Sequence, residues 1–257
     1  METVELAASV RGEGPALILL HGLFGAGDNL GGIRRRLEHA FELHSLDMRN
    51  HGRSPHTDSM GYPEMAADVL AYMDRAGLEQ ASVLGHSMGG KVAMELALEQ
   101  PRRIERLIVA DIAPVAYDAH HDSIREALQR FDPGSVRSRR EADGELAHWI
   151  DTPGVRQFLL TNLVPRESGG FSWRMNVAGI LAGYEQIVGA QPAQGRFEGP
   201  TLFIRGEKSD YIQESHRDVV ERLFPNVQLR VIPEAGHWLH AEKPDLFARV
   251  CERFLTS

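Results

Sequence analysis

The sequence lacks most of the features that would place it outside the ordinary globular proteins. Its 257 residues include a single cysteine, which cannot form an internal disulfide and favours a reducing compartment. Its 25 glycines and 13 prolines are too few for a low-complexity or disordered chain. No repeat of about 20–50 residues is visible, which excludes solenoids and propellers. The length predicts one large domain, or a core with one insertion.

Basic charge and long apolar runs are also scarce. The chain has 28 basic and 36 acidic residues, so it lacks the basic excess of a nucleic-acid-binding surface. The N-terminal residues show no basic segment followed by an apolar run, as a secretory signal would. The longest apolar stretch near them, Ala16 to Leu20, is far shorter than the roughly 18 residues of a membrane span. The sequence therefore predicts a soluble, cytoplasmic globular protein with no nucleic-acid partner and no membrane span.

Short apolar runs alternate with amphipathic stretches along much of the chain. Four of these runs are continuously apolar, as in strands that are buried on both faces of a parallel sheet. Residues 41–46 and 227–232 alternate more in polarity and are expected further out in the sheet. Between the runs, Met65, Val69 and Met73 share one helical face. The pattern predicts an α/β fold with a doubly wound, mostly parallel sheet flanked by helices. The four apolar runs are residues 16–20, 81–84, 107–110 and 201–204.

The alternation breaks between Pro114 and about Glu198. This stretch shows helical patterns and no convincing strand. It is either a decoration that only covers the sheet or a cap over a pocket at the carboxyl ends of the strands, where open α/β sheets bind ligands. We favour the second interpretation, with a core of residues 1–113 and 199–257 and a helical cap of residues 114–198. Two histidines of the predicted cap, His120 and His121, are expected to be solvated rather than catalytic.

The motif that carries most chemical information is Gly-His-Ser-Met-Gly at residues 85–89. It directly follows the strand predicted at residues 81–84 and opens a helix, which is the context of a nucleophile elbow. Gly85 and Gly89 flank Ser87 at positions where a Cβ would collide with a neighbouring strand or helix. The sharp turn would lift Ser87 above the sheet, with the positive end of the helix behind it. The pattern predicts Ser87 as a nucleophile.

A second turn, at residues 21–25, follows the strand predicted at residues 16–20. In this architecture that turn lies beside the elbow. The backbone amides of Leu23 and Met88 are therefore expected to form an oxyanion hole for a tetrahedral intermediate.

A serine nucleophile needs a base, and twelve histidines compete for this role. His237 follows the last predicted strand and comes last in the chain order Ser–Asp–His of this architecture. His240 lies a turn further on. His86, within the elbow, is expected to line the pocket, and His21 to stabilise its own turn. His237 is therefore the predicted base.

Together these motifs resemble the α/β-hydrolase family, and more closely its YbfF-type esterases. The similarity runs through nearly the whole chain, and its five motifs occur in the order of the family. The resemblance implies esterase activity on short acyl esters, or on acyl thioesters, without a cofactor. The five motifs lie at residues 21–25, 47–54, 85–91, 111–114 and 236–244.

Two carboxylates compete to complete a catalytic triad with Ser87 and His237. Most members of the family carry it as Gly-x-x-Asp after the strand equivalent to residues 201–204. Here Ser209 occupies that position, and Asp210 is the next residue along the chain. A shift of one residue near the end of a strand points the side chain in another direction, so Asp210 need not face His237. Asp111 ends the strand after the elbow helix and resembles the acid of the YbfF-type esterases, in which a serine at the position of Ser209 also bonds the histidine. We predict Asp111 as the acid with Ser209 as support, and Asp210 as the alternative acid.

The predicted activity is that of a serine carboxylesterase on short-to-medium acyl esters, or acyl thioesters, acting through an acyl-enzyme. Ser87 would attack the ester carbonyl, His237 would accept its proton, and Asp111 would orient the imidazole. A cofactor-free lyase or carbon–carbon hydrolase could use the same residues, and so could a ligand receptor with residual hydrolase activity. No metal-ligand pattern, dinucleotide fingerprint or P-loop is present in the sequence, so neither a metal nor a cofactor is expected. The candidate substrate-binding residues are Phe24, His86, Phe158, Trp173 and Trp238.

Overall fold

A computed structural model describes residues 2–118 and 121–257 of the chain. The strands are β1 (Ala8–Arg11), β2 (Ala16–Leu20), β3 (Glu42–Leu46), β4 (Ala81–His86), β5 (Ile104–Ala110), β6 (Leu163–Pro165), β7 (Phe171–Trp173), β8 (Thr201–Gly206) and β9 (Val227–Ile232). The α-helices are α1 (Gly31–Leu37), α2 (Tyr62–Arg75), α3 (Met88–Glu99), α4 (Asp122–Arg130), α5 (Arg139–Leu146), α6 (Pro153–Leu160), α7 (Val177–Ala182), α8 (Tyr184–Val188), α9 (Arg217–Leu223), α10 (Leu239–Glu242) and α11 (Pro244–Leu255). Within the two described ranges, no helix is long and apolar enough to cross a membrane.

Seven strands form the main sheet in the order β1-β3-β2-β4-β5-β8-β9. Every neighbouring pair is parallel except β1 and β3, which are antiparallel. The predicted α/β fold with a mostly parallel sheet is therefore confirmed. Strand β9 lies at an edge, as its polarity indicates. Strand β3 lies one position further in than expected, because β1, which the sequence did not predict, covers it.

Both faces of the sheet are buried. On β2, Ile18 and Leu20 pack in the cluster that includes α2 and α3, while Leu17 and Leu19 pack in the cluster that includes α1 and α11. Successive side chains of a strand point to opposite faces, so a strand covered on both sides needs an unbroken apolar run. This packing explains why the apolar pattern of the sequence predicts the central strands.

Between β5 and β8, the described residues form five α-helices and a small hairpin. The helices α4, α6, α7 and α8 overlap the helical patterns predicted at residues 124–131, 155–163 and 175–188, whereas α5 ends at Leu146, where the pattern predicted at residues 146–150 begins. The expectation of a stretch without strands is wrong, because β6 and β7 pair in an antiparallel ladder. The turn between them contains Gly169 and Gly170, with φ of 88° and 70°, a left-handed backbone that glycine adopts without strain. The division into a core and a cap of residues 114–198 stays a prediction.

Candidate active site

Ser87 stands in the sharp turn between β4 and α3. Its backbone has φ 53° and ψ −119°, a conformation that costs a residue with a side chain some strain and is typical of functional turns. A Cβ on Gly85 would collide with the carbonyl group of Gly89, and a Cβ on Gly89 would lie 2.6 Å from the His21 carbonyl oxygen. Both glycines are therefore needed for the chain to turn here, as the motif predicts.

His237 and Asp111 meet Ser87 at the carboxyl ends of the parallel strands. The Nε2 atom of His237 lies 3.0 Å from the Ser87 Oγ, and its Nδ1 lies 2.8 Å from an Asp111 carboxylate oxygen. Asp111 directly follows β5 and is fully buried. Its other carboxylate oxygen accepts a hydrogen bond of 2.9 Å from the Gly206 N–H. The three side chains thus form a continuous hydrogen-bonded chain, although they lie far apart in the sequence.

The predicted supporting residue, Ser209, and the alternative acid, Asp210, differ from Asp111 in their contacts. The Ser209 hydroxyl donates to the Asp111 carboxylate and not, as the resemblance implied, to His237. The expectation for its bond is therefore corrected: Ser209 contacts the acid rather than the base. Asp210 is exposed, and its carbonyl oxygen accepts a bond from the Gln213 side chain. A turn that joins the Ser209 N–H to the Gly206 carbonyl directs one side chain inward and the next one to solvent.

The amides proposed for an oxyanion hole lie on two adjoining turns. A Cβ on Gly22 would lie 3.4 Å from the Cβ of Ser87, so the turn after β2 touches the elbow. Among the described residues, neither the Leu23 N–H nor the Met88 N–H takes part in a backbone hydrogen bond of a turn or loop. Met88 is the first residue of α3, where helical N–H groups have no partner within the helix and the helix dipole is positive.

Buried, uncharged histidines surround the site. His86 Nε2–H donates to the backbone carbonyl of His237 at 2.8 Å and so anchors that residue. The ring of His240 packs 4.3 Å from that of His86. Burial and the neighbouring imidazoles lower the pKa of both residues, that of His240 to about 4. His21 bonds the Gly22 carbonyl and accepts the Met48 N–H, which is the structural position that the sequence predicts for it.

Tyr211 covers one face of the imidazole of His237. The two rings stack with centroids 4.0 Å apart and planes inclined by 20°. Tyr117 holds the loop of Tyr211 in place, because its hydroxyl accepts the Ala113 N–H at 2.8 Å and donates to the Tyr211 carbonyl at 2.6 Å. Burial raises the pKa of both tyrosines, which keeps them neutral. Sequence reasoning missed Tyr211, whose only signal was an aromatic residue in the loop after β8.

Ser87 and His237 lie in the wall of a cleft of about 670 Å³. Aromatic rings from the core and from the segment between β5 and β8 line the cleft, and those of Phe158 and Trp238 pack together with centroids 5.8 Å apart. Within the described ranges, no group of three or more His, Cys, Asp or Glu residues could hold a metal ion. Four of the predicted substrate-binding residues line the cleft, namely Phe24, His86, Phe158 and Trp238.

The fifth predicted substrate-binding residue does not line this cleft. Trp173 lies on β7, where its ring packs against Phe131 with centroids 5.8 Å apart, and Trp149 lines the cleft instead. The expectation for Trp173 is thus wrong, because the unpredicted hairpin turns it into the packing of the inserted segment. His121 also differs from its expectation: it lines the cleft, and its Nδ1 lies 2.8 Å from the Tyr184 hydroxyl. His120 lies outside the described residues.

Comparison with known proteins identifies relatives over nearly the full length of the chain. The Alpha/beta hydrolase family matches residues 17–250. Esterase YbfF of Escherichia coli (strain K12) is 40% identical over 240 residues, which cover 93% of this chain and 92% of that protein. The sn-1-specific diacylglycerol lipase ABHD11 of Mus musculus is 39% identical over 250 residues, which cover 94% of this chain and 81% of that protein.

A solved structure of similar sequence supports the same assignment. A protein described as a marine microorganism esterase has a TM-score of 0.95 and 39% identity, and the match covers 98% of this chain and 100% of that one. The resemblance drawn from the five sequence motifs is confirmed by these matches. The chain therefore belongs to the alpha/beta hydrolase family and is a hydrolase of the esterase and lipase type.

Proposed function

We propose that the protein is a serine carboxylesterase that hydrolyses esters of short-to-medium acyl chains, or the corresponding acyl thioesters, through an acyl-enzyme. The observation that carries the proposal is the hydrogen-bonded chain from Ser87 through His237 to the buried Asp111, set in the wall of an aromatic cleft. The names of the relatives, an esterase and a lipase, agree with ester hydrolysis. Cys251 is a buried free thiol, which fits a reducing, cytoplasmic setting.

In the acylation half of the reaction, the Ser87 Oγ attacks the ester carbonyl carbon while His237 Nε2 accepts the hydroxyl proton. The Leu23 and Met88 amides donate to the oxyanion that forms. When the intermediate collapses, the bond from the carbonyl carbon to the alcohol oxygen breaks, and His237 returns the proton to that oxygen. Asp111 remains ionised, holds the Nδ1–H tautomer and stabilises the imidazolium. The products of this half are the free alcohol and an acyl group on Ser87.

In the deacylation half, water takes the place of the alcohol. His237 accepts a proton from water, the water oxygen attacks the acyl carbon, and the same amides stabilise the second oxyanion. The acid then leaves, and Ser87 recovers its proton from His237. No redox or metal step is needed, since every proton moves between His237 and an oxygen atom.

Steady-state hydrolysis of p-nitrophenyl butyrate tests the proposal. The wild-type protein should turn over many equivalents, whereas Ser87→Ala should lose at least about 10⁴-fold in kcat, the order seen when serine triads lose a member. Ser168→Ala is the control, because Ser168 is exposed in the turn between β6 and β7, does not line the cleft and should leave the rate within about twofold.

The same measurement separates the alternatives. A ligand receptor with residual hydrolysis would release at most about one equivalent of p-nitrophenol per protein. A cofactor-free lyase or carbon–carbon hydrolase would leave the ester intact while cleaving its own substrate. Either result, or full activity of Ser87→Ala, would overturn the proposal.

A further inference from the structure

The turn at residues 22–25, directly after β2, carries the Leu23 N–H that the proposed reaction uses. A peptide group is planar and trans, so its N–H points away from its own carbonyl. The direction of the Leu23 N–H is therefore set by the Gly22 carbonyl. That oxygen accepts two hydrogen bonds, at 2.8 Å from the Nδ1–H of His21 and at 3.0 Å from the Gly25 N–H. These two bonds fix the plane of the peptide that carries the donor.

The next residue of the turn, Phe24, is held in a strained backbone conformation. Its φ is 61°, in the left-handed region that a residue with a side chain rarely adopts. Its N–H donates at 3.1 Å to the Nε2 of His51, which is fully buried. The Nδ1–H of His51 donates to the Arg49 carbonyl at 2.9 Å, and burial lowers the pKa of the ring to about 3, so the neutral Nε2 can accept. One backbone group of Phe24 is thus bound from the core.

The other backbone group of Phe24 is bound from the segment between β5 and β8. Asn162 lies between α6 and β6, and its side-chain amide donates to the Phe24 carbonyl at 2.7 Å. That carbonyl belongs to the same peptide as the Gly25 N–H, which donates to the Gly22 carbonyl. Asn162 therefore orients one peptide plane, and this plane in turn orients the peptide that carries the Leu23 N–H.

Asn162 is buried and is held at both of its own backbone groups. It is 2% exposed. Its N–H donates to the Leu159 carbonyl at 2.9 Å, and its carbonyl accepts the Arg174 N–H at 2.8 Å. In the described part of the chain, Asn162 is not among the residues that line the large cleft of about 670 Å³. Its bond to Phe24 can therefore act on the reaction through the turn and not through contact with substrate.

Loss of the Asn162 amide would leave a buried carbonyl without its donor at a residue that is already strained. A buried carbonyl without a partner is unfavourable, so the peptide between Phe24 and Gly25 would rotate towards another donor. The Leu23 N–H would then lose its orientation. This donor is needed when the oxyanion forms in the transition state, whereas the neutral ester depends on it much less.

We infer that Asn162 is a positioning residue through which the segment between β5 and β8 holds the Leu23 N–H in the orientation that binds the oxyanion. The inference rests on the proposed function and adds to it a residue that lies outside the cleft. It predicts that loss of the Asn162 amide lowers kcat and leaves KM nearly unchanged.

Asn162→Leu tests this role, because it replaces the amide by an apolar group of similar size. We expect kcat on p-nitrophenyl butyrate to fall by about 10–10²-fold, less than the roughly 10²–10³-fold loss when an oxyanion donor itself is removed. The KM should stay within about threefold of the wild-type value. Asn162→Ala removes the amide without an apolar replacement and gives the same comparison if Asn162→Leu does not fold.

Binding of a trifluoromethyl ketone adds a readout that a merely structural role would not move. The Ser87 Oγ adds to the carbonyl carbon of the ketone, the hydroxyl proton moves to His237, and the carbonyl oxygen becomes an oxyanion. This adduct resembles the tetrahedral intermediate, so its stability depends on the same amides. In Asn162→Leu, the inhibition constant should rise by about the factor by which kcat/KM falls.

Asn176→Leu is the matched control. Asn176 lies in the same segment, and its side-chain amide also reaches the core, at 2.9 Å from the Asn50 Oδ1 and 3.2 Å from the Thr57 carbonyl. These partners lie outside the turn at residues 22–25. Urea denaturation should show a loss of stability in this variant too, but kcat and ketone binding should stay within about threefold of the wild type.

The outcomes separate the positioning role from the proposed function. Equal losses of kcat in Asn162→Leu and Asn176→Leu, a rise in KM alone, or unchanged binding of the ketone would overturn the role of Asn162 while the proposed function stands. Failure of the wild-type protein to hydrolyse p-nitrophenyl butyrate would overturn the proposed function itself.

Discussion

At the scale of single residues, hydrogen bonds distinguish two aspartates that the sequence leaves in competition. Asp111 is buried, with one carboxylate oxygen bound to a backbone N–H and the other to His237 and Ser209. Asp210 lies in the loop after β8, and its side chain is exposed. A carboxylate raises the rate by holding the imidazole in the right tautomer and by stabilising the imidazolium. Of the two aspartates, Asp111 is the one hydrogen-bonded to His237.

We expect Asp111→Asn to lower kcat on p-nitrophenyl butyrate by at least about 10²-fold, below the roughly 10⁴-fold loss known for such a change in a serine protease. Ser209→Ala should cost less, because it removes one bond to the carboxylate and leaves the charge in place. Asp210→Asn is the control and should stay within about tenfold. Circular dichroism would verify that each variant is folded. A crippled Asp210→Asn beside an active Asp111→Asn would assign the acid to Asp210.

At the scale of secondary-structure elements, the segment between β5 and β8 contributes two aromatic residues with different surroundings. Phe158, on α6, lines the large cleft near Trp238. Trp173, on β7, packs against Phe131 and does not line that cleft. A side chain in the cleft wall should affect binding of substrate, whereas one in the packing of the segment should affect stability.

We therefore expect Phe158→Ala to raise KM for octyl acetate more than for ethyl acetate, with a small effect on stability. Trp173→Ala should lower the free energy of unfolding by less than the about 3–5 kcal/mol of a fully buried aromatic residue, because its side chain is half-buried, and leave the ratio of the two KM values unchanged. Urea denaturation and steady-state kinetics on both esters measure these effects. A change in alcohol selectivity with Trp173→Ala, and none with Phe158→Ala, would contradict the placement of the two rings.

Some strands could be predicted from their own sequence, whereas others depend on the strands with which they pair. The strands β2, β4, β5 and β8 are buried on both faces, so their sequences are unbroken apolar runs. Strand β1 is four residues long and half exposed, and β6 and β7 have three residues each. Such short strands carry no periodicity that a sequence can reveal and depend on their pairing partners.

The same distinction applies to the site. Ser87 and His237 could be predicted because a tight turn requires glycines at fixed spacing and because the chain order of the family is known. Tyr211 and Trp149 could not, because their contribution depends on how a loop and an inserted helical segment pack over the sheet. The mistaken contact of Ser209 belongs to the same class, since a hydroxyl can rotate towards either of two adjacent partners.

At the scale of the whole molecule, buried histidines couple stability to pH. Burial lowers the pKa of His51 to about 3 and of His240 to about 4, and also lowers those of His21 and His86. In the unfolded chain these groups take up a proton near pH 6.5, so below that pH the unfolded state binds more protons than the folded one. The free energy of unfolding should therefore fall as the pH drops from about 6.5 towards 4.

Urea denaturation between pH 7 and pH 5 measures this dependence. For His240, whose pKa falls to about 4, the free energy of unfolding should drop by about 2 kcal/mol from pH 6.5 to 5. Burial also raises the pKa of Glu95, and this shift makes the free energy of unfolding rise as the pH falls. The pH dependence of the wild type is therefore compared with that of variants. His240→Leu should show a shallower dependence than the wild type, whereas His39→Gln, at an exposed position, should retain the wild-type dependence. Identical slopes for all three proteins would contradict the account.

The nucleophilic role of Ser87 is the central claim, and covalent labelling tests it most directly. The native protein would be treated with a serine-reactive phosphonate and analysed by intact mass and peptide mapping. Attack by Ser87, with His237 as the base, predicts the addition of one probe, located on Ser87, and no addition to Ser87→Ala or to protein unfolded before treatment. A probe located on another residue, or a folded wild-type protein that takes up none, would contradict the claim.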